Sequence, residues 1–187
     1  MRVVGGTFKG KKLFFINSKI TRPLRDLVKE SIFNIIKHSK LVDAKIEDSY
    51  VLDLYAGIGS FGIECISRKA KSVTFIEEDF KALKELNKNI KNLSIDKLAK
   101  VFASKINLCL DRLAFENKFD IFFLDPPFAK YDYKDDLMQI KKLNIFNRKH
   151  LVIIHREKKT TEDLNDILKI IKIKKYGRSK IVFATFC

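Results

Sequence analysis

An apolar segment that runs into a glycine-rich turn constrains the fold of this chain more than any other feature. Val51–Leu54 has the composition of a buried strand, interrupted by Asp53, and Gly57, Gly59 and Gly62 follow it before a helical pattern begins. A glycine turn between a strand and a helix lets backbone approach a ligand closely and directs helix amide groups toward it. The pattern therefore predicts a βα unit with a nucleoside-like ligand at its turn.

Further apolar runs alternate with helical patterns along the rest of the chain. Strands are expected near residues 50–54, 72–76, 99–103, 119–124, 150–154, 170–176 and 180–186, with helices in most of the gaps. This alternation predicts an α/β, Rossmann-like fold with a mostly parallel seven-stranded sheet and a ligand crevice at the carboxyl ends of its strands. The turn at residues 176–179 is too short for a parallel crossover, so the last two strands are expected to form an antiparallel hairpin.

The N-terminal part of the chain has a different pattern. Residues 2–16 contain glycine turn signals and predict a short β-ribbon. A helix is then expected to begin within residues 21–23, with Arg25 and Lys29 on a cationic face opposite its apolar stripe. We therefore expect a basic extension over residues 1–45 and a main domain over residues 46–187. A later helix is expected to be capped by Asp79 and to bury Phe80, Leu83, Leu86, Ile90 and Leu93.

The net charge of +15 indicates a partner that carries phosphate. Residues 1–40 hold ten Lys or Arg against two acids, a net charge of +8, and residues 171–187 hold five basic residues and no acid. A generally lysine-rich composition is the alternative explanation, although it would spread the charge more evenly.

The chain has no apolar run long enough to span a bilayer and no secretory signal, so we expect a cytoplasmic protein. Its three cysteines and three histidines are scattered, and we expect no metal.

Two cofactors fit the glycine turn. Gly57, Gly59 and Gly62, with Glu77 placed 20 residues after Gly57, match the dinucleotide fingerprint and would indicate NAD. However, a carboxylate at Asp53 suits a cationic ligand better than a pyrophosphate. A chain of 187 residues also leaves little room for a separate substrate domain. S-adenosylmethionine, which carries a sulfonium, an ammonium and a ribose, fits these features better.

A second strand end carries a different set of groups. The apolar run 119–124 leads directly into Asp125, Pro126, Pro127 and Phe128. The prolines fix two φ angles and remove two amide donors, so the turn can direct carbonyl oxygens outward. A carboxylate, such carbonyls and an aromatic ring together suit a flat base that carries an exocyclic amine. The alternative is an ordinary strand end, because proline often terminates regular structure.

The chain resembles the bacterial RsmD-type methyltransferases, which modify guanine N2 in small-subunit ribosomal RNA. The resemblance covers nearly the whole chain and is carried by the Met1–Gly6 opening with residues 9–13, the Thr21–Pro23 helix signature with residues 26–35, the 53–59 loop, the 75–77 strand end and the 125–128 turn. It implies the class I methyltransferase fold, S-adenosylmethionine as cofactor, and ribosomal RNA or an assembling small subunit as partner. We expect the enzyme to be a monomer. The N-terminal part distinguishes this family, because several amino-methyltransferase families share the 125–128 turn.

The resemblance also implies roles for individual residues. Glu77 would accept hydrogen bonds from the ribose, with Glu78 as the alternative, and Asp53 would lie near the aminoacyl end of the cofactor. The chain departs from the family at Ser104, where Asp or Asn usually meets the adenine amine, and at Leu24, where the family more often has Thr. The implied cofactor-binding residues are Asp53, Tyr55, Ala56, Gly57, Gly59, Glu77 and Ser104. The implied catalytic residues are Asp125, Pro126, Pro127 and Phe128, and the RNA-binding residues are Arg2, Lys9, Lys11, Lys12, Arg22 and Arg25. The extension over residues 1–45 would dock the RNA and form part of the cofactor site.

The chemistry expected of such a site follows from the weak nucleophilicity of an aryl amine. The Asp125 carboxylate and the Pro126 carbonyl would accept hydrogen bonds from the amine while Phe128 stacks on the base, and the methyl group would transfer in line. The target guanine would have to be unstacked to reach the pocket. Other acceptors remain open: adenine N6 in DNA, or a glutamine side chain in a protein. A non-catalytic RNA-binding module would explain the charge alone.

Overall fold

The computed structural model describes residues 1–15, 24–40, 42–115, 117–127 and 133–187. Helices α1 (Asp26–His38), α2 (Ser60–Ser67), α3 (Phe80–Asn92), α4 (Ile106–Leu113) and α5 (Tyr133–Leu143) alternate with the strands, and a 3₁₀ turn covers Asp96–Leu98. The strands are β1 (Tyr50–Leu54), β2 (Ser72–Glu77), β3 (Ala99–Ala103), β4 (Phe119–Leu124), β5 (Phe146–Glu157), β6 (Leu168–Tyr176) and β7 (Ser179–Phe186). The seven strands expected from the apolar runs are confirmed, and β5 is longer than expected.

The strands form one sheet in the order β3-β2-β1-β4-β5-β7-β6. The first five in this order are parallel, whereas β7 runs antiparallel to both β5 and β6. The C-terminal hairpin is therefore confirmed. Since β1 lies between β2 and β4, the strand order reverses there, and a crevice is expected outside the carboxyl ends of β1 and β4.

Two apolar layers cover the sheet because residues along each strand alternate between its faces. On β1, Val51 packs with α1, α2 and α3, whereas Leu52 and Leu54 pack with α4 and α5. The N-terminal residues Val3 and Leu13 join the first layer. The N-terminal ribbon thus packs on the same face of the sheet as α1, α2 and α3.

The ribbon is short and is held mainly by α2. Arg2 and Lys12 form an isolated antiparallel bridge. The amide of Thr7 donates to the carbonyl of Ser67 at 2.7 Å, and the amide of Phe8 donates to the Ser67 hydroxyl at 2.9 Å. Since Ser67 ends α2, close to the start of the next strand, this fixes the ribbon turn near the amino edge of the sheet.

The prediction of a cationic face on α1 is wrong at Lys29. This side chain is fully buried, and its Nζ donates to the carbonyl of Arg2 at 2.6 Å and lies 4.0 Å from the buried Glu64 carboxylate. Burial lowers the pKa of Lys29, and the charges of Glu64 and Asp26 oppose that shift. The ribbon covers this side of the helix, so Lys29 is buried against the ribbon backbone. The apolar spacing of the sequence predicts a stripe of Leu24, Leu27, Val28, Ile32, Ile35 and Ile36; of these, Leu27 is 70% exposed. The helix also begins later than expected, at Asp26, because Arg25 before it is extended (φ −63°, ψ 145°); residues 21–23 lie outside the described residues.

The expectations for α3 are confirmed with one exception. Asp79 caps the helix by accepting from the amide of Ala82 at 2.8 Å. Leu83, Leu86, Ile90 and Leu93 are buried, but Phe80, the first residue of the helix, is 80% exposed. Within the described part of the chain, no helix is long and apolar enough to cross a membrane.

Candidate active site

The glycine turn after β1 combines close packing with an open side. Tyr55, Gly57 and Gly59 all have positive φ, at 58°, 57° and 79°. A Cβ atom on Gly59 would lie 2.4 Å from the Leu86 side chain, so only glycine leaves room for α3 to pack against the turn at this position. A Cβ on Gly57 would meet no atom within 4 Å. Gly57 is therefore the position where a ligand can approach the backbone.

Glu77 binds the turn from the neighbouring strand end. Its Oε2 accepts from the amide of Gly57 at 2.7 Å, and its Oε1 accepts from the amides of Glu78 and Asp79 at 2.9 and 2.8 Å. A carboxylate has about four acceptor sites, so these bonds leave room for one further hydroxyl donor. Glu77 can contact a ribose hydroxyl, and accepting from two would require release of an amide.

Asp53 lies beneath the turn and not at its surface. Its side chain is almost fully buried, and Oδ2 accepts from the amide of Gly62 at 2.9 Å. Burial raises the pKa of Asp53 well above its ordinary range; the Gly62 hydrogen bond opposes this rise, and the charges of Asp125 and Glu77 add to it. The carboxylates of Asp125 and Glu77 thus both lie close enough to act on Asp53, and two carboxylates at one crevice favour a cationic ligand over a phosphate.

The other predicted cofactor residues differ in what their side chains do. The Tyr55 hydroxyl donates to the Asp136 carboxylate at 2.5 Å and thereby ties the turn to α5. Ala56 is buried, and its amide donates to Ile76 at 3.0 Å. Ser104 lies beside Glu77, since its amide donates to the Glu77 carbonyl at 3.0 Å, while its hydroxyl donates to the carbonyl of Lys105 at 3.2 Å.

The second predicted group lies at the adjacent carboxyl end of β4. The Asp125 side chain is 25% exposed, and its Oδ1 lies 2.8 Å from Nδ1 of His155 on β5. Pro126 is buried and Pro127 is exposed. The Pro127 carbonyl accepts from Nη1 of Arg156 at 3.1 Å. Phe128 lies outside the described residues.

Sequence reasoning missed His155 and Arg156. Arg156 is fully buried; it donates to the Glu162 carboxylate at 2.6 Å, and its guanidinium lies 4.8 Å from the centre of the Tyr133 ring. The Tyr133 hydroxyl also donates to Glu162 at 2.7 Å. A signal for both residues was present in the sequence. They directly follow the apolar run of β5, and the carboxyl end of that strand lies at the same sheet edge as Asp125. In the described ranges, no cluster of His, Cys, Asp or Glu could hold a metal ion.

The predicted RNA-binding residues that the structure describes lie on the N-terminal ribbon and at the start of α1. Lys9, Lys11, Lys12 and Arg25 are exposed, and Arg2 pairs with Asp26 at 3.1 Å. The ribbon turn at Lys9 lies toward the amino edge, because Thr7 is bonded to Ser67 at the end of α2. The other end of the ribbon reaches the glycine turn, since the Asn89 side chain bonds both Phe14 and the carbonyl of Ile58. Arg22 lies outside the described residues.

A second basic region lies at the carboxyl edge. Ser179 pairs with Glu157 at the end of β5, so the β6–β7 turn is on the same edge as Asp125. Lys174, Lys175 and Arg178 are exposed around this turn. The structure therefore holds two basic regions on opposite edges of the sheet.

The chain matches a protein family and resembles named relatives. The family described as "Conserved hypothetical protein 95" matches residues 1–185. "Ribosomal RNA small subunit methyltransferase D" of Haemophilus influenzae is 38% identical over 130 residues, covering 68% of this chain and 64% of that protein. The protein of the same name from Buchnera aphidicola subsp. Baizongia pistaciae is 34% identical over 158 residues, covering 84% and 76%.

A solved structure matches the full length of the chain. The structure titled "Putative methyltransferase yhhF from Escherichia coli" superposes with a TM-score of 0.79 at 27% identity, covering 100% of this chain and 97% of that one. The Rossmann-like architecture of class I methyltransferases, expected from the order of strands and helices and from the resemblance, is confirmed.

Proposed function

The chain belongs to the "Conserved hypothetical protein 95" family, the RsmD-type proteins, and on this premise we propose that it transfers a methyl group from S-adenosylmethionine to the exocyclic N2 amine of a guanine in small-subunit ribosomal RNA. The relatives named above are ribosomal RNA small subunit methyltransferases, which supports the substrate class. The protein would act in the cytoplasm, on the RNA or on an assembling small subunit.

The observation that carries the proposal is the adjacency of two different strand ends. Leu54 of β1 pairs with Leu124 of β4, so the glycine turn and Asp125 follow directly on neighbouring strands. The first offers an open approach at Gly57 next to the Glu77 carboxylate. The second offers the partly exposed Asp125 carboxylate. A methyl donor and an amine acceptor need such neighbouring positions to react in line.

The protein residues have separate roles in this mechanism. Glu77 would hold the ribose, the backbone at Gly57 would face the donor, and the buried Asp53 would hold the turn beneath the aminoacyl end through its bond to the Gly62 amide. When bound, S-adenosylmethionine supplies an electrophilic methyl group on a positively charged sulfur. Asp125 and the Pro126 carbonyl accept hydrogen bonds from the amine and orient its lone pair, and Asp125 is positioned to take the released proton. Phe128 is assigned to stack on the base.

The charge of the crevice argues against NAD. The charges of Glu77 and Asp125 both act on Asp53, so a pyrophosphate placed beside these carboxylates would be repelled. Titration calorimetry with S-adenosylmethionine and with NAD separates the two cofactors, and we expect binding of the first only. Tight binding of NAD would contradict the proposal.

The acceptor is tested by transfer of a tritiated methyl group. Purified protein and labelled cofactor are incubated with small subunits lacking the modification, with naked small-subunit RNA, with duplex DNA and with a protein mixture. We expect label in RNA, recovered as N2-methylguanosine after digestion to nucleosides. Label in N6-methyladenine of DNA or in glutamine would assign the site to one of the other acceptor classes. Label in no acceptor, despite cofactor binding, would remove the catalytic assignment.

A further inference from the structure

The side chain that touches Asp125 comes from the neighbouring strand. Leu124 of β4 pairs with Ile154 of β5, so Asp125 and His155 are consecutive partners at the carboxyl edge. Nδ1 of His155 lies 2.8 Å from Oδ1 of Asp125. The His155 side chain is 6% exposed, against 25% for Asp125. The carboxylate thus lies between a buried imidazole and the open crevice.

The direction of this hydrogen bond follows from the proposed reaction. A carboxylate that accepts hydrogen bonds from the amine is ionised and has no hydrogen to donate. The hydrogen shared with His155 must then lie on Nδ1, and the imidazole donates. One carboxylate oxygen, Oδ1, is occupied by the buried imidazole, which leaves Oδ2 to accept from the amine. A free carboxylate would rotate and lose this orientation.

We propose that His155 is a positioning residue for Asp125: its Nδ1–H holds Oδ1 so that Oδ2 accepts a hydrogen bond from the amine of the methyl acceptor. This inference rests on the proposed function and adds a residue to its site. His155 does not itself touch the acceptor. The methyl–sulfur bond breaks and the nitrogen–methyl bond forms as before, and the proton released by nitrogen passes to Asp125 and then to water.

The test compares two substitutions of His155. Asparagine places its amide nitrogen near the position of Nδ1 and can still donate to Asp125, whereas leucine fills similar space without a donor. His155→Leu is expected to lower kcat roughly 10- to 100-fold, because the carboxylate loses its orientation, while KM for RNA and the affinity for S-adenosylmethionine stay within about 2-fold. His155→Asn is expected to retain most of the wild-type kcat. His38→Leu, at the exposed C-terminal end of α1, is the matched control.

Several outcomes would overturn the proposal. A wild-type kcat in His155→Leu would overturn it. Equal losses of kcat in His155→Leu and His155→Asn would also overturn it, because they would indicate a role in packing alone. If His155→Leu does not fold, nitrogen-15 NMR of the wild-type imidazole gives the answer. A hydrogen on Nδ1 in the wild-type protein that leaves this nitrogen in the Asp125→Ala variant supports the proposal. An Nδ1 that carries no hydrogen in the wild-type protein contradicts it. If the wild-type protein binds S-adenosylmethionine but methylates no RNA, the proposed function fails first, and the inference fails with it.

Discussion

The two halves of the crevice are built by different kinds of contact. At the ends of β1 and β2, carboxylates are held by backbone amides: Glu77 accepts from three of them and Asp53 from one. At the ends of β4 and β5, side chains and a proline carbonyl are held by other side chains, as in the His155–Asp125 and Arg156–Glu162 pairs. We call these the cofactor half and the acceptor half.

Because the contacts differ, substitutions in the two halves should separate cofactor binding from chemistry. Bonds between a carboxylate and backbone amides shape a loop, so changes in the cofactor half should alter ligand affinity. Pairs of side chains orient single reacting groups, so changes in the acceptor half should alter turnover or, where a charge is buried, stability. The predictions below test this division.

The largest effect is expected at Asp125 in the acceptor half. Asp125→Ala removes the acceptor for the amine hydrogens, and we expect turnover to fall by roughly 10³-fold. The affinity for S-adenosylmethionine should change by less than about 3-fold, measured by calorimetry. Asp163→Ala, on the exposed segment after β5, is the control. Turnover above a tenth of the wild-type rate would show that the halves are not divided in this way.

Arg156 should affect stability more than any residue of the cofactor half. Arg156→Met leaves the buried Glu162 carboxylate without its cation and frees the Pro127 carbonyl, so the free energy of unfolding should fall by about 3 kcal/mol in urea titration. Arg148→Met, at an exposed site on the same strand, should change it by less than about 0.5 kcal/mol. The double variant Arg156→Met with Glu162→Gln should recover part of the loss. No recovery would mean that the charge of Glu162 is not the cause.

Glu77 tests the cofactor half directly. A glutamine presents one acceptor oxygen and one amide group, so Glu77→Gln leaves at least one of the three backbone donors without its partner. We expect the Kd for S-adenosylmethionine to rise about 10-fold, with kcat at saturating cofactor nearly unchanged. Glu78→Gln is both the control and a test of the alternative ribose ligand. A larger loss at Glu78 would transfer the ribose role to it.

The same division explains what could be predicted from the sequence. The seven strands and the glycine turn are local patterns, and Gly57 and Glu77 follow a known spacing. The contact of His155 with Asp125 joins residues 30 positions apart, and its formation depends on strand register, which local patterns do not give. Lys29 was misplaced for the same reason, because its buried partner Glu64 and the ribbon over it are distant in sequence.

The substitution Asp53→Asn should have a smaller effect, and it should improve stability at higher pH while it weakens cofactor binding. Its pKa is higher in the folded than in the unfolded chain, so folding takes up a proton. Its contribution to stability is complete below the ordinary Asp pKa, about 3.9, and is lost as pH rises toward the folded-state pKa. Asp53→Asn keeps an oxygen for the Gly62 amide and removes this loss. We expect a flatter stability profile above pH 4, measured by urea titration, with weaker S-adenosylmethionine binding.

Asp79→Asn serves as the control for Asp53→Asn, because asparagine also caps helices and Asp79 is exposed. It should leave the pH dependence of stability unchanged. A steeper fall of stability with pH in Asp53→Asn than in the wild type would contradict the sign assigned to Asp53.

The smallest effect concerns the two basic regions. Lys175→Ala with Arg178→Ala changes the turn beside the acceptor half, and Lys9→Ala with Lys11→Ala makes the same change of charge at the ribbon. Because Asp125 lies on the edge that carries the β6–β7 turn, we expect the Lys175 and Arg178 substitutions to raise KM for RNA more than the Lys9 and Lys11 substitutions do. Each lost phosphate contact should reduce the slope of log K against log salt by about 1. A loss confined to the ribbon variant would place the RNA along the amino edge and separate docking from the acceptor half.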